Sequence, residues 1–284
     1  MSMTSWFQSR KRQVGRGQHA GTGRWRRFFQ PRLEALEERT LLSTFHVLNL
    51  DNDGDDSLRA AIEAANLNPG ADRIVVAPNV TGTITLASPL SVTDDLKILG
   101  PGADRLTVSG GGTTRVFEIS GSTTEVRIDG LTIADGMASG ISVVRPSGAV
   151  IFTLGGGILN TGADLTLSNV TLVDNRAVAP VGTSAAGGGI ANVFGATLTV
   201  KDCTLADNQS IGHSAGSTES RGGAIFNDAG SILVVAGSTF TGNQAIGGST
   251  GAAPHQGGSL GGAIENAGGS QATVLDSTFE NNLA

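Results

Sequence analysis

Four times the chain spells a glycine-rich tetrad and an asparagine in the frame GG[GA]I-x-N, opening at Gly155, Gly187, Gly222 and Gly261. Each copy closes on a second asparagine, in [LF]xxN, at Asn175, Asn208, Asn243 and Asn282. The isoleucine and the closing asparagine lie 17, 18, 18 and 18 residues apart, whereas the linkers between copies grow from 11 to 13 to 17 residues. A unit of fixed length joined by segments of variable length at one place predicts a solenoid, one supersecondary unit per repeat.

The contents of one unit predict its shape. Ile158, Ile190, Ile225 and Ile264 align first, then the pairs Leu165/Leu167, Leu198/Val200, Leu233/Val235 and Ala272/Val274, then Leu172, Leu205, Phe240 and Phe279. Each cluster alternates apolar and polar residues, the period of a strand with one buried face. Gly, Asn, Asp and Ser separate the clusters, so each copy reads as three short strands with three corners. Hairpin signals do not recur in register. The fold class expected is all-β, a right-handed parallel β-helix in which like residues sit above like.

The repeat residues then have structural work. They are Gly156, Ile158, Asn160 and Asn175, then Gly188, Ile190, Asn192 and Asn208. Gly223, Ile225, Asn227 and Asn243 follow, and Gly262, Ile264, Asn266 and Asn282 complete the set. Glycine accepts positive φ without a Cβ penalty and asparagine is the next most tolerant residue. The closing asparagines are therefore expected at bent corners, their amides bonded to backbone and to one another along the stack. A polar binding ladder is the functional alternative. The Gly-, Ser- and Ala-rich linkers 176–186, 209–221 and 244–260 read as mobile connections projecting from one corner.

Residues 44–73 read as a preface to the coils. Thr44 to Leu50 has strand character. Ser57 caps a short helix from Leu58 to Asn68 whose Leu58, Ala61, Ile62 and Ala65 form one apolar stripe. Pro69-Gly70 ends it, and the helix is placed to cover the open N-terminal end of the solenoid. Coils extend over 74–284, with strand-like pieces at 74–77, 83–86, 96–99, 106–108, 116–119, 126–128 and 131–133. Between strand and helix, Asp51-Asn-Asp-Gly-Asp-Asp56 suggests a calcium loop. With Gly54 at the turn, however, position twelve is Ala60 and not the bidentate Glu an EF-hand requires. Asp51, Asp53 and Asp55 remain weak candidates for a looser Ca2+ site; no other cofactor is indicated.

Charge is distributed unevenly along the 284 residues. Residues 1–40 carry nine Lys/Arg against three Glu, and the remainder carries ten against 22 Asp/Glu. Glycines interrupt the basic arm 1–43, which matches no nucleic-acid reader, so nucleic acid is not an expected partner and the arm is expected to be disordered. No secretory leader and no run of 18 apolar residues is legible, so no transmembrane segment is expected. Cys203, the one cysteine, falls at a slot held elsewhere by Val170, Ser238 and Ser277 and reads as a packed thiol.

Four stretches carry resemblances. Pro31 to Ser43 resembles the LEPR-XLL type of N-terminal segment of exported planctomycete-type surface proteins, with Leu36-Glu-Glu-Arg39 where Leu-Glu-Pro-Arg is usual. The Ser57-Leu-Arg-Ala-Ala-Ile62 block resembles the SLREAI-type segment that precedes β-helices in bacterial surface proteins. The GG[AG]I and [LF]xxN signatures over 155–284 resemble the polymorphic outer-membrane protein repeat, and residues 44–153 resemble the pectin-lyase-like superfamily. These resemblances imply a non-catalytic protein of the cell envelope or the extracellular space. Adhesion or display would use loops at one corner to contact cell-surface, matrix or protein ligands.

The alternative class is a polysaccharide lyase or glycoside hydrolase. It needs carboxylates on neighbouring coils, or calcium-binding aspartates with a basic residue. Asp174, Asp202, Asp207, Asp276 and Glu280 lie in the last strand region, and Asp174 aligns with Asp207. No His-Gly or Arg-Ile-Lys accompaniment recurs, and residues 41–284 have no Trp or Tyr to stack on sugar rings. At the C-terminal end, Ile264, Val274 and Phe279 are expected to line an open core. The chain is therefore expected to continue in a longer protein or to self-associate through its last coil.

Overall fold

The computed structural model describes residues 42–140, 143–144, 151–213, 218–248 and 257–284. The basic arm, the LEPR-XLL-like block up to position 41 and the tips of the last two linkers lie outside the described residues. Thr44–Val47 opens a stack of short strands joined almost throughout by parallel pairing. The chain forms a parallel β-helix solenoid.

Three sheets form its wall. Sheet A has eight strands, from Thr44–Val47 and Asp72–Val76 to Gln271–Leu275. Sheet B has seven, from Gly82–Thr85 to Thr278–Glu280, and sheet C has six, from Leu90–Val92 to Ile264–Asn266. The chain passes C to A to B in every coil. Alternation along each strand sends one set of side chains inward, as in Asp164–Ser168, where Leu165 and Leu167 are buried and Asp164 is exposed. In-register pairing then stacks Ile158 on Ile190, Ile190 on Ile225 and Ile225 on Ile264. Leu172, Leu205 and Phe240 stack likewise in sheet B, and Phe240 lies flat on Phe279 with ring centroids 4.7 Å apart.

The linkers differ from the mobile loops expected of them. Their ends form two further parallel ladders, so the later coils have five strands and not three. Sheet D holds Met137–Ala138, Arg176–Val178, Gln209–Ile211 and Gln244–Ile246. Sheet E holds Ile151–Leu154, Ser184–Ala186, Ser220–Arg221 and Ser259–Leu260, with Val143–Val144 antiparallel to its first strand. Both lie between B and C, so the excursions do leave from one corner. Small residues explain the order: Ala177, Ala179 and Ala185 bury themselves against one another. Sheet E also brings Phe152, Leu154 and Ala186 onto Ala191, Val193 and Phe226 of sheet C. It thereby roofs the outer face of sheet C in the later coils.

The closing asparagines are corner residues, but the left-handed conformation belongs to the residue before each one. Asp174, Asp207, Gly242 and Asn281 have φ of 57°, 52°, 64° and 54°. That twist turns the next side chain inward. Asn175, Asn208 and Asn243 are 0% exposed, and each amide NH2 donates to the Oδ1 of the next, the ladder ending at Asn282. Asn160, Asn192, Asn227 and Asn266 make a second inward ladder in the same way at the C-to-A corner. In the tetrad, the first glycines have φ near +60°, and a Cβ on Gly156 would lie 2.4 Å from the carbonyls of Arg176 and Gly188. Backbones cross too closely there for any side chain.

The helix Leu58–Leu67 packs on the first strands of sheets A and C through Leu58, Ala61, Ile62 and Ala65, and Ser57 Oγ accepts from Ala60 N. Asn66 bridges Ser91 O and Thr93 N, and Arg59 donates to Ser88 O and Pro89 O. Cap side chains thus occupy hydrogen-bonding groups that another coil would otherwise take.

The ladder leads to a graded prediction. The Asn208 side chain makes four hydrogen bonds, two accepted from Asn175 and two donated to Leu172 O and Asn243 Oδ1. Asn208→Ala strands these partners in a dry interior and is expected to cost about 4 kcal/mol. At the half-exposed end of the ladder, where water can substitute, Asn282→Ala is expected to cost about 1 kcal/mol. Urea unfolding of both variants measures the contrast; equal losses would contradict the ladder as a source of stability.

Candidate functional site

The corner between sheets B and D brings carboxylates together. Asp135, Asp174 and Asp207 follow strands paired in register, so they stack on three consecutive coils, all with left-handed backbone. Successive coils are about 4.8 Å apart, so the row sets like charges side by side. Asp is suited to the backbone here because its short side chain tolerates positive φ. Beyond Asp207 the row ends at Gly242, where a Cβ would lie 2.2 Å from Asp207 Oδ1. The glycine leaves room for that carboxylate.

The row borders a groove of about 460 Å³ that also exposes Arg176, Gln209 and Met137. Ser109 Oγ donates to Asp135 Oδ2 at 3.0 Å. Burial raises the Asp174 carboxyl above its ordinary value, and the charges of Asp207 and Asp135 raise it further against the opposing pull of Arg176. Of the acidic residues singled out in the sequence, Asp174 and Asp207 meet here. Asp202 and Asp276 lie at the A-to-B corner, again with left-handed backbone, and Glu280 lies in the last strand of sheet B. Asp135 was missed because its coil lacks the repeat signature; its alignment becomes visible only through the pairing of Thr132–Ala134 with Thr171–Val173.

Asp51, Asp53 and Asp55 are exposed in the turn before the helix. There Asp53 Oδ1 accepts from Gly54 N, while Asn49 Oδ1 accepts from Asp51 N and its amide donates to Asp55 O. Those bonds account for the turn locally. Among the described residues no group of three or more His, Cys, Asp and Glu has metal-binding proximity. Cys203 is 3% exposed beneath Val170, its thiol donating to Lys201 O, and burial pushes it up to about 11. No known protein-family model matches the chain, and no curated protein is significantly similar to it.

Two expectations follow. Because the folded Asp174 carboxyl titrates above its ordinary value, its protonated form stabilises the fold at acid pH, and that contribution is lost as pH rises through the folded value. Asp174→Asn, acceptable at positive φ and mirrored by Asn281 in the last coil, is therefore expected to raise the urea midpoint at about pH 7. The advantage over the parent should vanish towards about pH 3, where Asp174 is itself protonated. An unchanged midpoint at neutral pH would show that the row carries no strain. Cys203 should resist iodoacetamide until the protein is unfolded, which mass spectrometry of the intact chain would show.

Proposed function

We propose that the protein is a non-catalytic β-helix of the cell envelope or extracellular space that displays one lateral flank for adhesion. One observation carries this reading: a frame of nearly constant length holds, on a single side, segments that differ in length and sequence from copy to copy. Sheets D and E give those segments an ordered base on the wall of the solenoid. Such an arrangement separates what must stay fixed for stacking from what is free to vary for contact. The resemblances of the N-terminal block and of the GG[AG]I/[LF]xxN repeat to those of exported surface proteins support the same placement, and cell-surface, matrix or protein ligands would be reached through the flank. No helix among the described residues is long and apolar enough to cross a membrane.

The test is location followed by contact. Cells producing the full chain are expected to show it in the envelope or the medium, and intact cells should lose it to added protease. Recovery from the cytoplasm alone, protected from protease, would overturn the proposal.

The stacked carboxylates Asp135, Asp174 and Asp207 favour one second reading, a hydrolase or lyase of acidic polysaccharides. Carboxylates on neighbouring coils beside a groove are what such chemistry uses, and a raised carboxyl suits a general acid. Incubation with pectate and alginate, with and without calcium, decides it. New reducing or unsaturated ends, lost in Asp174→Asn, would establish turnover; no new ends would leave the display reading.

A further inference from the structure

The outer face of sheet C is roofed by sheet E in the later coils, and among the described residues no strand covers it in the early ones. Where the roof begins, the wall and its neighbours leave a groove of about 480 Å³. Its floor is set by register. Ser91, Glu118 and Leu159 form one outward row across three strands, and Ser120 and Thr161 form the next. The turn at Thr113–Arg115 and the segment Met137–Gly140 line the groove as well.

Arg115 is 8% exposed, and its guanidinium donates to Gly155 O at 2.6 Å and Leu154 O at 2.5 Å as well as to Glu118 Oε1. The arginine is occupied with backbone and fixes the carboxylate, whose side chain is 45% exposed. Glu118 Oε2 has no hydrogen-bond partner among the described residues. A held carboxylate accepts from two adjacent hydroxyls at once, and the surrounding Ser and Thr hydroxyls each donate or accept. Leu159 and Met137 add apolar area of the kind that the C–H faces of a sugar ring cover. Among the described residues lining the groove, Arg115 is the one cation and is already occupied, so a polyanion would meet the exposed negative charge of Glu118.

We infer that this groove is a subsite for neutral saccharides, with Glu118 as the group that accepts from a vicinal pair of sugar hydroxyls. The coil spacing of about 4.8 Å is comparable with the length of one pyranose unit, so a chain lying across the coils presents successive rings to successive strands. This inference deepens the display reading by giving the wall a ligand class, and it rests on that reading only for its biological setting.

The experiment uses purified full-length protein, so its outcome does not depend on where cells place the chain. Binding of cellohexaose, maltohexaose and mannohexaose is measured by calorimetry and by line broadening of the sugar resonances, with polygalacturonate as the acidic control. At least one neutral hexaose is expected to bind with a Kd of about 1 mM or tighter. Glu118→Gln keeps an acceptor for Arg115 and should weaken binding by about tenfold. Thr161→Arg leaves the Arg115 pair untouched, projects into the groove and should abolish binding. Circular dichroism and the melting midpoint certify that both variants fold. No neutral hexaose binding, undiminished binding by either folded variant, tighter binding of polygalacturonate, or binding of an oligolysine peptide in place of sugars would overturn the inference. Failure here with the protein still found on the cell surface would remove the ligand class and leave the display reading standing.

Discussion

Parallel pairing in register, coil upon coil, is the constraint on which the structure depends. It forces each residue to lie above its counterpart, so every choice made in one coil is repeated or answered in the next. Apolar positions answer themselves, since isoleucine packs well on isoleucine. Polar positions inside the wall must find hydrogen bonds along the stack, because no water reaches them. An amide is well suited to this: it donates forward and accepts from behind, so Asn175 to Asn282 form a chain in which each link satisfies the last. A serine or a leucine at one level would leave the levels on either side unpaired.

The ends of the two ladders show how local the solution is. At its first rung Asn175 Oδ1 accepts from Gly136 N, so the B-corner ladder is closed by backbone. The C-corner ladder begins at Asn160, directly above Ile119, and among the described residues Asn160 Oδ1 has no partner. An unmet buried acceptor costs about 1–3 kcal/mol. The stack therefore carries a weak level at Asn160, at the same height where sheet C passes from open to roofed. The cap at the other end is better resolved: Asn52, Arg59 and Asn66 bond the backbone of the first coil with side chains from the helix and the turn before it.

The frame was legible in the sequence because stacking imposes a period on it. The isoleucine and leucine rows, the tetrad glycines, the helix with Ser57 at its start and the inward asparagines all repeat or obey local rules. Sheets D and E were not legible. Their strands are two to four residues long, and segments such as Ser184-Ala-Ala186 have no alternation to read. Length variation between copies made them look like loops, although only their middles vary. The left-handed residue was placed one position late, because both Asp174 and Asn175 tolerate positive φ and only the inward demand on Asn175 separates them.

Neither groove could be read from sequence order. Each joins residues from several strands that are neighbours only through pairing. Glu118 looks like an ordinary solvated residue of an alternating strand. It acquires a role from Arg115, three residues earlier, whose guanidinium is itself locked by carbonyls about forty residues onward. That dependence runs through sheet E: the strand Ile151–Leu154 both supplies a carbonyl that holds Arg115 and begins the roof over sheet C. Any longer excursion in an earlier coil would extend the roof and close the groove. The open face thus exists because the first coils pass directly from B to C. Linker length, the most variable quantity in the repeat, decides which part of an otherwise uniform wall is available to a ligand.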